Sequence, residues 1–327
     1  MNSIPSSKRV MSKYEIGFPF LLIVSIVLSL TVTAQPEYTN AELKQFGIER
    51  RVTRGMKYGV PQERFPMPEI QRGSLGSTAD GGIDLSFNAA VSEGFGYVND
   101  TVVQPDGKIV VVGLFQRANG IRTNGIARLN PDGSLDMSFH LGGGANAAIR
   151  SVALQSDGKI VIGGAFTQFN GQTVSRIVRL EADGEVDLTF SINVALGGQI
   201  NDVLVLPNGK IMIGGAFNLS TSRLARLNTD GTLETSAFSV SGTVHSIESA
   251  PGDKFLVGGQ FGSPRRNVAR FENSGSLDAT FVPPSGSGSG NPVLRVASQP
   301  DGKVIAAGVF GTFNGETTDG LVRLTNT

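Results

Sequence analysis

Cysteine is absent from the 327 residues. Without thiols the chain has no disulfides, no thiolate metal ligands, no cysteine nucleophile and no cysteine for lipid attachment, so its stability rests on packing. Histidine is nearly absent as well, with only His140 and His245. A histidine-based metal site or proton relay would need acids brought from far along the chain. Neither sign of charge is in excess, because 28 basic and 28 acidic residues cancel. No global field would hold the protein on nucleic acid or an anionic membrane, and no nucleic-acid partner is expected. What is abundant is glycine, 43 residues of it, beside 39% hydrophobic residues, a composition suited to a globular core rich in turns.

The N-terminus carries Lys8, Arg9 and Lys13 and then the apolar run GFPFLLIVSIVLSLTVTA, with Val32 and Ala34 at the small-residue positions that precede a signal-peptidase cut. Residues 1–34 therefore read as a signal peptide, and the protein as secreted, periplasmic or cell-surface. The alternative is an uncleaved membrane anchor, since Gly17 to Ala34 is about long enough to span a bilayer. Residues 35–78 are more charged, lack glycine-spaced strands and read as a linker, with a short amphipathic helix or plain spacer at 41–51.

From residue 79 onward the chain repeats itself. Aligned on the lysine of Asp-Gly-Lys, five units begin around Lys108, Lys159, Lys210, Lys254 and Lys303, at intervals of 51, 51, 44 and 49 residues. Seven residues after each lysine stands a phenylalanine: Phe115, Phe166, Phe217, Phe261 and Phe310. An apolar segment with one arginine follows, at Arg128, Arg179, Arg226, Arg270 and Arg323, and in the first four units it leads into DGSLDMSF, DGEVDLTF, DGTLETSAF or SGSLDATF. A period of this size is that of a propeller blade. Each unit divides into four short apolar strands bounded by Gly, Asp, Asn or Pro, as in IRSVALQ, KIVIGGAF, SRIVRLE and EVDLTF. That pattern predicts antiparallel meanders, with the unbroken KIVIGG run buried on both faces and its glycine pair allowing close approach.

Pro-Asp-Gly suits a type I turn followed by a left-handed glycine in a three-residue hairpin loop. A loop of that length at 131–133 sets Arg128 opposite Asp136. The same counting pairs Arg179 with Asp187, Arg226 with Glu234 and Arg270 with Asp278. As exposed cross-strand pairs these would contribute ~0.2–1 kcal/mol each. The fourth unit reads APGDK, so its turn should differ and its blade should be the least regular.

The last unit ends at GLVRLTNT without a partner strand, while ADGGIDLSF at 79–87 matches PDGSLDMSF position by position. This predicts an all-β, five-bladed β-propeller of four-stranded antiparallel blades over 79–327, its ring closed by the N-terminal strand on the C-terminal one, with Arg323 meeting Asp84. The repeat, as in Gln104 to Phe115 and Ala127 to Phe139, resembles the delta-60 repeat family. The resemblance implies a bacterial, exported tandem-repeat propeller without an assigned function, and it brings no catalytic residues.

Chemistry is sparse. His140 reads as a solvated loop residue, and the alternating acids after the arginine strands are explained by hairpin turns without calcium. Asp100 and Asp202 stand outside the repeated pattern, at the position held by Ser151, Ser246 and Arg295 in the other units; one residue earlier stand Asn99, Arg150, Asn201, His245 and Leu294. These lie on the first strand of each unit, which in a propeller lines the central channel. Asp100, Arg150, Asp202, His245 and Arg295 are therefore the candidate ligand-binding residues, with no metal and no cofactor expected. The loops QRANGIRTNG, TQFNGQTVS, NLSTS, GSPRRN and GTFNGETTDG vary and share one face, with Phe169 and Phe313 as candidate apolar contacts. The leading expectation is a monomeric, non-enzymatic module binding a glycan or protein surface on that face. The alternatives are a carbohydrate-active enzyme using Asp100 and Asp202, and a structural surface protein.

Overall fold

In the computed structural model each Asp-Gly-Lys turn, or its APGDK variant, joins two strands of a meander, as the turn chemistry predicts. The structure describes residues 84, 86–91, 96–140, 142–219, 222–234, 238–283, 286 and 291–326. The expected signal peptide, the linker with its helix, and residues 79–83 of the closing segment lie outside them.

The first repeat holds β1 (Tyr97–Val103), β2 (Ile109–Leu114), the short β3 (Arg117–Ala118) and β4 (Ile121–Arg122), and β5 (Ile126–Leu129). The second holds β6 (Ile149–Leu154), β7 (Ile160–Gly164), β8 (Gln168–Phe169), β9 (Gln172–Thr173) and β10 (Ile177–Leu180). The third has β11 (Ile200–Val205), β12 (Ile211–Leu219) and β13 (Ser222–Leu227), and the fourth β14 (Thr243–Ala250), β15 (Lys254–Gln260) and β16 (Val268–Phe271). The fifth has β17 (Val293–Ser298), β18 (Val304–Gly308), β19 (Thr312–Phe313), β20 (Glu316–Thr317) and β21 (Leu321–Leu324). Among the described residues they form five three-stranded antiparallel meanders, β1–β2–β5, β6–β7–β10, β11–β12–β13, β14–β15–β16 and β17–β18–β21.

Successive sheets pack through their first strands, β6 against β1 and β11, and β14 against β11 and β17. The middle strand is sheathed on both faces, as the KIVIGG pattern predicts; every residue of β7 is buried. Gly163 shows why glycine stands there. A Cβ on it would lie 2.7 Å from Val203 and 2.8 Å from Ile200 of the next repeat, so the first strand of that repeat could not seat as closely. The phenylalanines at plus seven are all in the core, none more than 5% exposed.

The fourth strand of each repeat is not a full ladder. Among the described residues it is reduced to single bridges, Leu129 with Leu135, Leu180 with Val186, Leu227 with Leu233 and Phe271 with Leu277. In three of these four repeats an Asp-x-Ser/Thr spacing follows the bridge. The Asp136 carboxylate accepts from the Ser138 N–H at 2.9 Å and its hydroxyl at 2.7 Å, and Asp187 with Thr189 and Asp278 with Thr280 do the same. Such an Asx-turn commits the aspartate to its own backbone and leads the chain out of the sheet.

The fourth repeat does have a different turn, with Gly252 and Asp253 both left-handed at φ +79° and +57°. Its blade is nonetheless not the least regular. Pairing runs to Ala250 opposite Lys254, the longest first hairpin among the five. Coverage of the third strand is lowest in the last sheet instead. β21 alternates exposed and half-buried, where β5, β10 and β16 are buried throughout.

The recurring charges hold this architecture together. Arg128 meets Asp136 at 2.8 Å, Arg179 meets Asp187 at 2.7 Å and Arg270 meets Asp278 at 2.7 Å, with Arg226 bonded to Glu234. The four pairs expected from loop length are present, but the arginines are buried and not exposed, so they are more than surface decoration. The lysine of each turn joins its acid: Lys108 at 2.9 Å, Lys159 at 3.0 Å, Lys210 at 2.9 Å and Lys254 at 2.8 Å. Each guanidinium also lies 4.7 to 5.4 Å from the centre of the phenylalanine ring that ends its Asx segment, Phe139, Phe190, Phe238 or Phe281. Finally, its Nη1 donates into the next repeat, to Ala182 O, Thr229 O, Asn273 O and Asn326 Oδ1 in turn. Burial alone would raise the carboxyls of Asp136, Asp187 and Asp278, yet hydrogen bonds from lysine, hydroxyl, backbone and arginine hold them well below the usual carboxylate range. Their contribution is present above that range and lost as pH falls through the depressed values.

Candidate functional site

Each first strand carries one β-bulge at the same place, between Val98 and Asp100, Ile149 and Ser151, Ile200 and Asp202, Val244 and Ser246, and Val293 and Arg295. The bulged residues are Asn99, Arg150, Asn201, His245 and Leu294, so the two polar positions singled out in the sequence are the bulge and its neighbour. A bulge re-aims side chains, and here it serves junctions between sheets. Asn99 donates to Ile149 O at 2.7 Å and Asn201 to Val244 O at 2.7 Å. At the next position an oxygen accepts a backbone N–H from the following repeat. Asp100 takes Val152 at 2.9 Å, Ser151 takes Val203 at 3.2 Å, Asp202 takes Ile247 at 2.7 Å and Ser246 takes Val296 at 3.3 Å. Arg295, having no acceptor, breaks this series.

Between the two acids stands Ser151, whose hydroxyl oxygen is 3.2 Å from Asp100 Oδ2 and 3.1 Å from Asp202 Oδ1. One hydroxyl hydrogen cannot serve both carboxylates while the oxygen accepts from Val203. The arrangement is complete when one acid carries a proton. Burial pushes Asp202 up to about 6, the Asp100 charge adding to the rise while Arg295, the Ile247 N–H and Ser151 pull it back. Burial raises Asp100 as well. For Asp202 the sign is opposite to that of the hairpin aspartates: its stability contribution is present at low pH and lost as pH rises through about 6.

Arg295 Nη1 lies 3.9 Å from Asp202 Oδ2, an ion pair too long for a hydrogen bond, and its charge also acts on Asp100. His245 is held below its ordinary value by burial first and then by the charges of Arg150 and Arg295. The five residues singled out from the sequence are therefore linked in a series, Asp100 and Asp202 to Arg295, Arg295 to His245 and His245 to Arg150. Ser151 was the member that sequence reasoning missed, because a serine in an apolar strand gives no signal until its neighbours are known. His140 is exposed, 3.8 Å from Asp183 and 3.6 Å from Glu185, and takes no part in this group.

Three of the loops expected to vary share one built element. β3–β4, β8–β9 and β19–β20 are two-residue ribbons closed by Asn119-Gly120, Asn170-Gly171 and Asn314-Gly315. Both turn residues are left-handed in each, the geometry that selects Asn-Gly. Each asparagine oxygen accepts an inter-repeat N–H, from Ala90 at 2.7 Å, Gly144 at 2.8 Å and Gly286 at 2.9 Å. Phe169 and Phe313 are not ligand contacts. They are 2% and 3% exposed, with ring centres 6.2 Å from Phe166 and 5.4 Å from Phe310. Between the first two ribbons opens a cleft of about 640 Å³, lined by Gln116, Arg122, Asn124, Asn146, Gln168 and the backbone of Gly144.

Comparison with known proteins adds a family similarity and no activity. No curated protein sequence matches the chain. Among solved structures it is similar to a protein of unknown function from Bacteroides caccae, at 15% identity and a TM-score of 0.45, covering 72% of this chain and 80% of that one. It is also similar to a gluconolactonase described as putative, at 18% and 0.43 over 73% and 78%, and to virginiamycin B lyase from Staphylococcus aureus, at 16% and 0.45 over 72% and 73%. The model of the family described as "Domain of unknown function (DUF5122) beta-propeller" matches residues 104–139, 155–190, 206–236, 253–281 and 299–327. The five matched units coincide with the five meander sheets, so the repeats of this chain are similar to those of that family.

Proposed function

We propose that the protein is an exported, non-enzymatic binding module that takes a glycan or protein surface on the face bearing the Asn-Gly ribbons. The observation that carries this reading is the polar cleft between the first two ribbons. Asn124 and Asn146 are spent on bracing its walls, to Arg122, Gly143, Thr167 and Gln168, while the exposed Gln116 and Gln168 side chains and the terminal nitrogens of Arg122 offer polar groups that suit hydroxyl-rich or peptide ligands. The carbohydrate-active alternative fares less well on geometry. Asp100 gives its oxygens to Thr101, Val152 and Ser151, and Asp202 gives its own to Val203, Ile247 and Ser151. A glycosidase pair must present free oxygens to a sugar. Incubated with a broad glycan array while reducing-end release is monitored, the purified protein is expected to bind without release. Release that disappears in Asp202→Asn would overturn the non-enzymatic reading.

The same proposal includes a closed five-bladed ring over 79–327, of the propeller type. Residues 88–91 dock on the first repeat as 140–145 dock on the second. Asn88 donates to Asp132 O at 2.9 Å as His140 does to Asp183 O at 2.8 Å, and Val91 bridges Ala118 as Ala145 bridges Phe169. Residues 88–91 thus take the course that follows a repeat's tail, and the under-covered β21 is the strand that such a tail would complete. The action of Arg295 on Asp100 supports the same closure. Deleting Ile83 to Phe87 is expected to lower the single thermal transition by at least about 4 °C. A separate early transition with an unchanged main one would show that the ring does not close this way.

A further inference from the structure

The bulge series leaves two guanidiniums unexplained. Four backbone N–H groups, of Thr101, Val152, Val203 and Ile247, already serve the carboxylates of Asp100 and Asp202. Among the described residues Arg150 donates no hydrogen bond, and its Nε is shut off from solvent without a partner. Arg295 reaches Asp202 only at 3.9 Å. Arg150 is half-buried and the Arg295 side chain is 40% exposed, so both keep donors open to a ligand, and the planar fork of a guanidinium matches the oxygens of an oxyanion. Both arginines also act on His245, which occupies the bulge of β14 between them in chain order. Three cationic or protonatable groups thus stand at the bulges of β6 and β14 and just past that of β17, both arginines acting on His245, beside acids whose own hydrogen-bonding capacity is largely filled.

We infer that Arg150, His245 and Arg295 form a site for a small oxyanion, a phosphate, sulfate or carboxylate group, distinct from the cleft on the ribbon face. The guanidiniums supply the donors, and the imidazole adds a third when protonated. The charged groups facing His245 are Arg150 on β6 and Arg295 on β17, with Asp202 on β11 and Asp100 on β1 beyond Arg295, and Glu248 two residues along β14 from Ser246. Lower pH favours the anion twice over. It places a proton on His245 and removes the negative charge of Asp202, whose value is about 6.

The test is calorimetric titration of the purified protein with sodium phosphate, sulfate and acetate at low ionic strength. At least one anion is expected to bind, more tightly at about pH 5.5 than at about pH 8. Arg150→Gln and Arg295→Gln should each weaken it at least about tenfold, the scale of one charge-assisted hydrogen bond. His245→Gln should shrink the pH dependence while keeping the binding measured at high pH. Arg295→Lys, which keeps the charge, should retain part of the affinity and shows that loss is not misfolding. No heat with any of the three anions would overturn the site, and so would parental affinity in both glutamine variants.

Discussion

Arg179→Met is expected to destabilise the protein by about 3–5 kcal/mol, the scale measured when one partner of a buried ion pair is removed. The side chain of Asp187 is only 2% exposed, and the substitution strips it of its arginine while Lys159 and Thr189 remain. Four other contacts go at once: the bond into Thr229 O of the next repeat, the bonds to Gln155 and to the Thr189 hydroxyl, and the stacking over Phe190. Urea denaturation monitored by circular dichroism measures the effect. The double variant Arg179→Met with Asp187→Asn should recover part of the loss, because no uncompensated charge is left inside. A change below about 1 kcal/mol in the single variant would mean that the cluster behaves like an exposed pair.

Phe166→Ala is the second large effect, at about 3–5 kcal/mol for a fully buried ring. Phe166 has no exposed surface and packs in the cluster that includes Ile149, Val152, Ile162 and Phe169. Its neighbours are held by ladders on both sides, so the cavity cannot collapse and the cost should lie at the upper end. Tyr97→Ala is the control, since that ring is 49% exposed and should move the denaturation midpoint little.

Much of this was legible in the chain itself, for identifiable reasons. The Asp-Gly turns set hairpin length, and hairpin length set Arg128 opposite Asp136; loop counting is local and carries over from repeat to repeat. The burial of those pairs was not legible, because it depends on the next repeat folding over them through Ala182 and its equivalents. The Asx-turns at the fourth strand could have been read, since Asp-x-Ser/Thr in DMSF, DLTF and DATF is their spacing, hidden in an alternating apolar pattern. The Asn-Gly dipeptides at 119, 170 and 314 likewise announce ribbons, and with them the inward turn of Phe169 and Phe313. Register placed Asp100, Arg150, Asp202, His245 and Arg295 at or beside one position of each first strand. What they do to one another was not legible, because the bulge that re-aims them has no residue signal of its own.

The lock between repeats has a direction in time as well as in space. Arg128 finds its acceptor 54 residues later, at Ala182, and Arg179, Arg226 and Arg270 find theirs 50, 47 and 56 residues later. A chain emerging N-terminus first, from a ribosome or a secretion pore, can form each hairpin as it appears but completes each lock one repeat late. The newest repeat is thus always the one with an idle guanidinium, and each arrival consolidates the repeat before it.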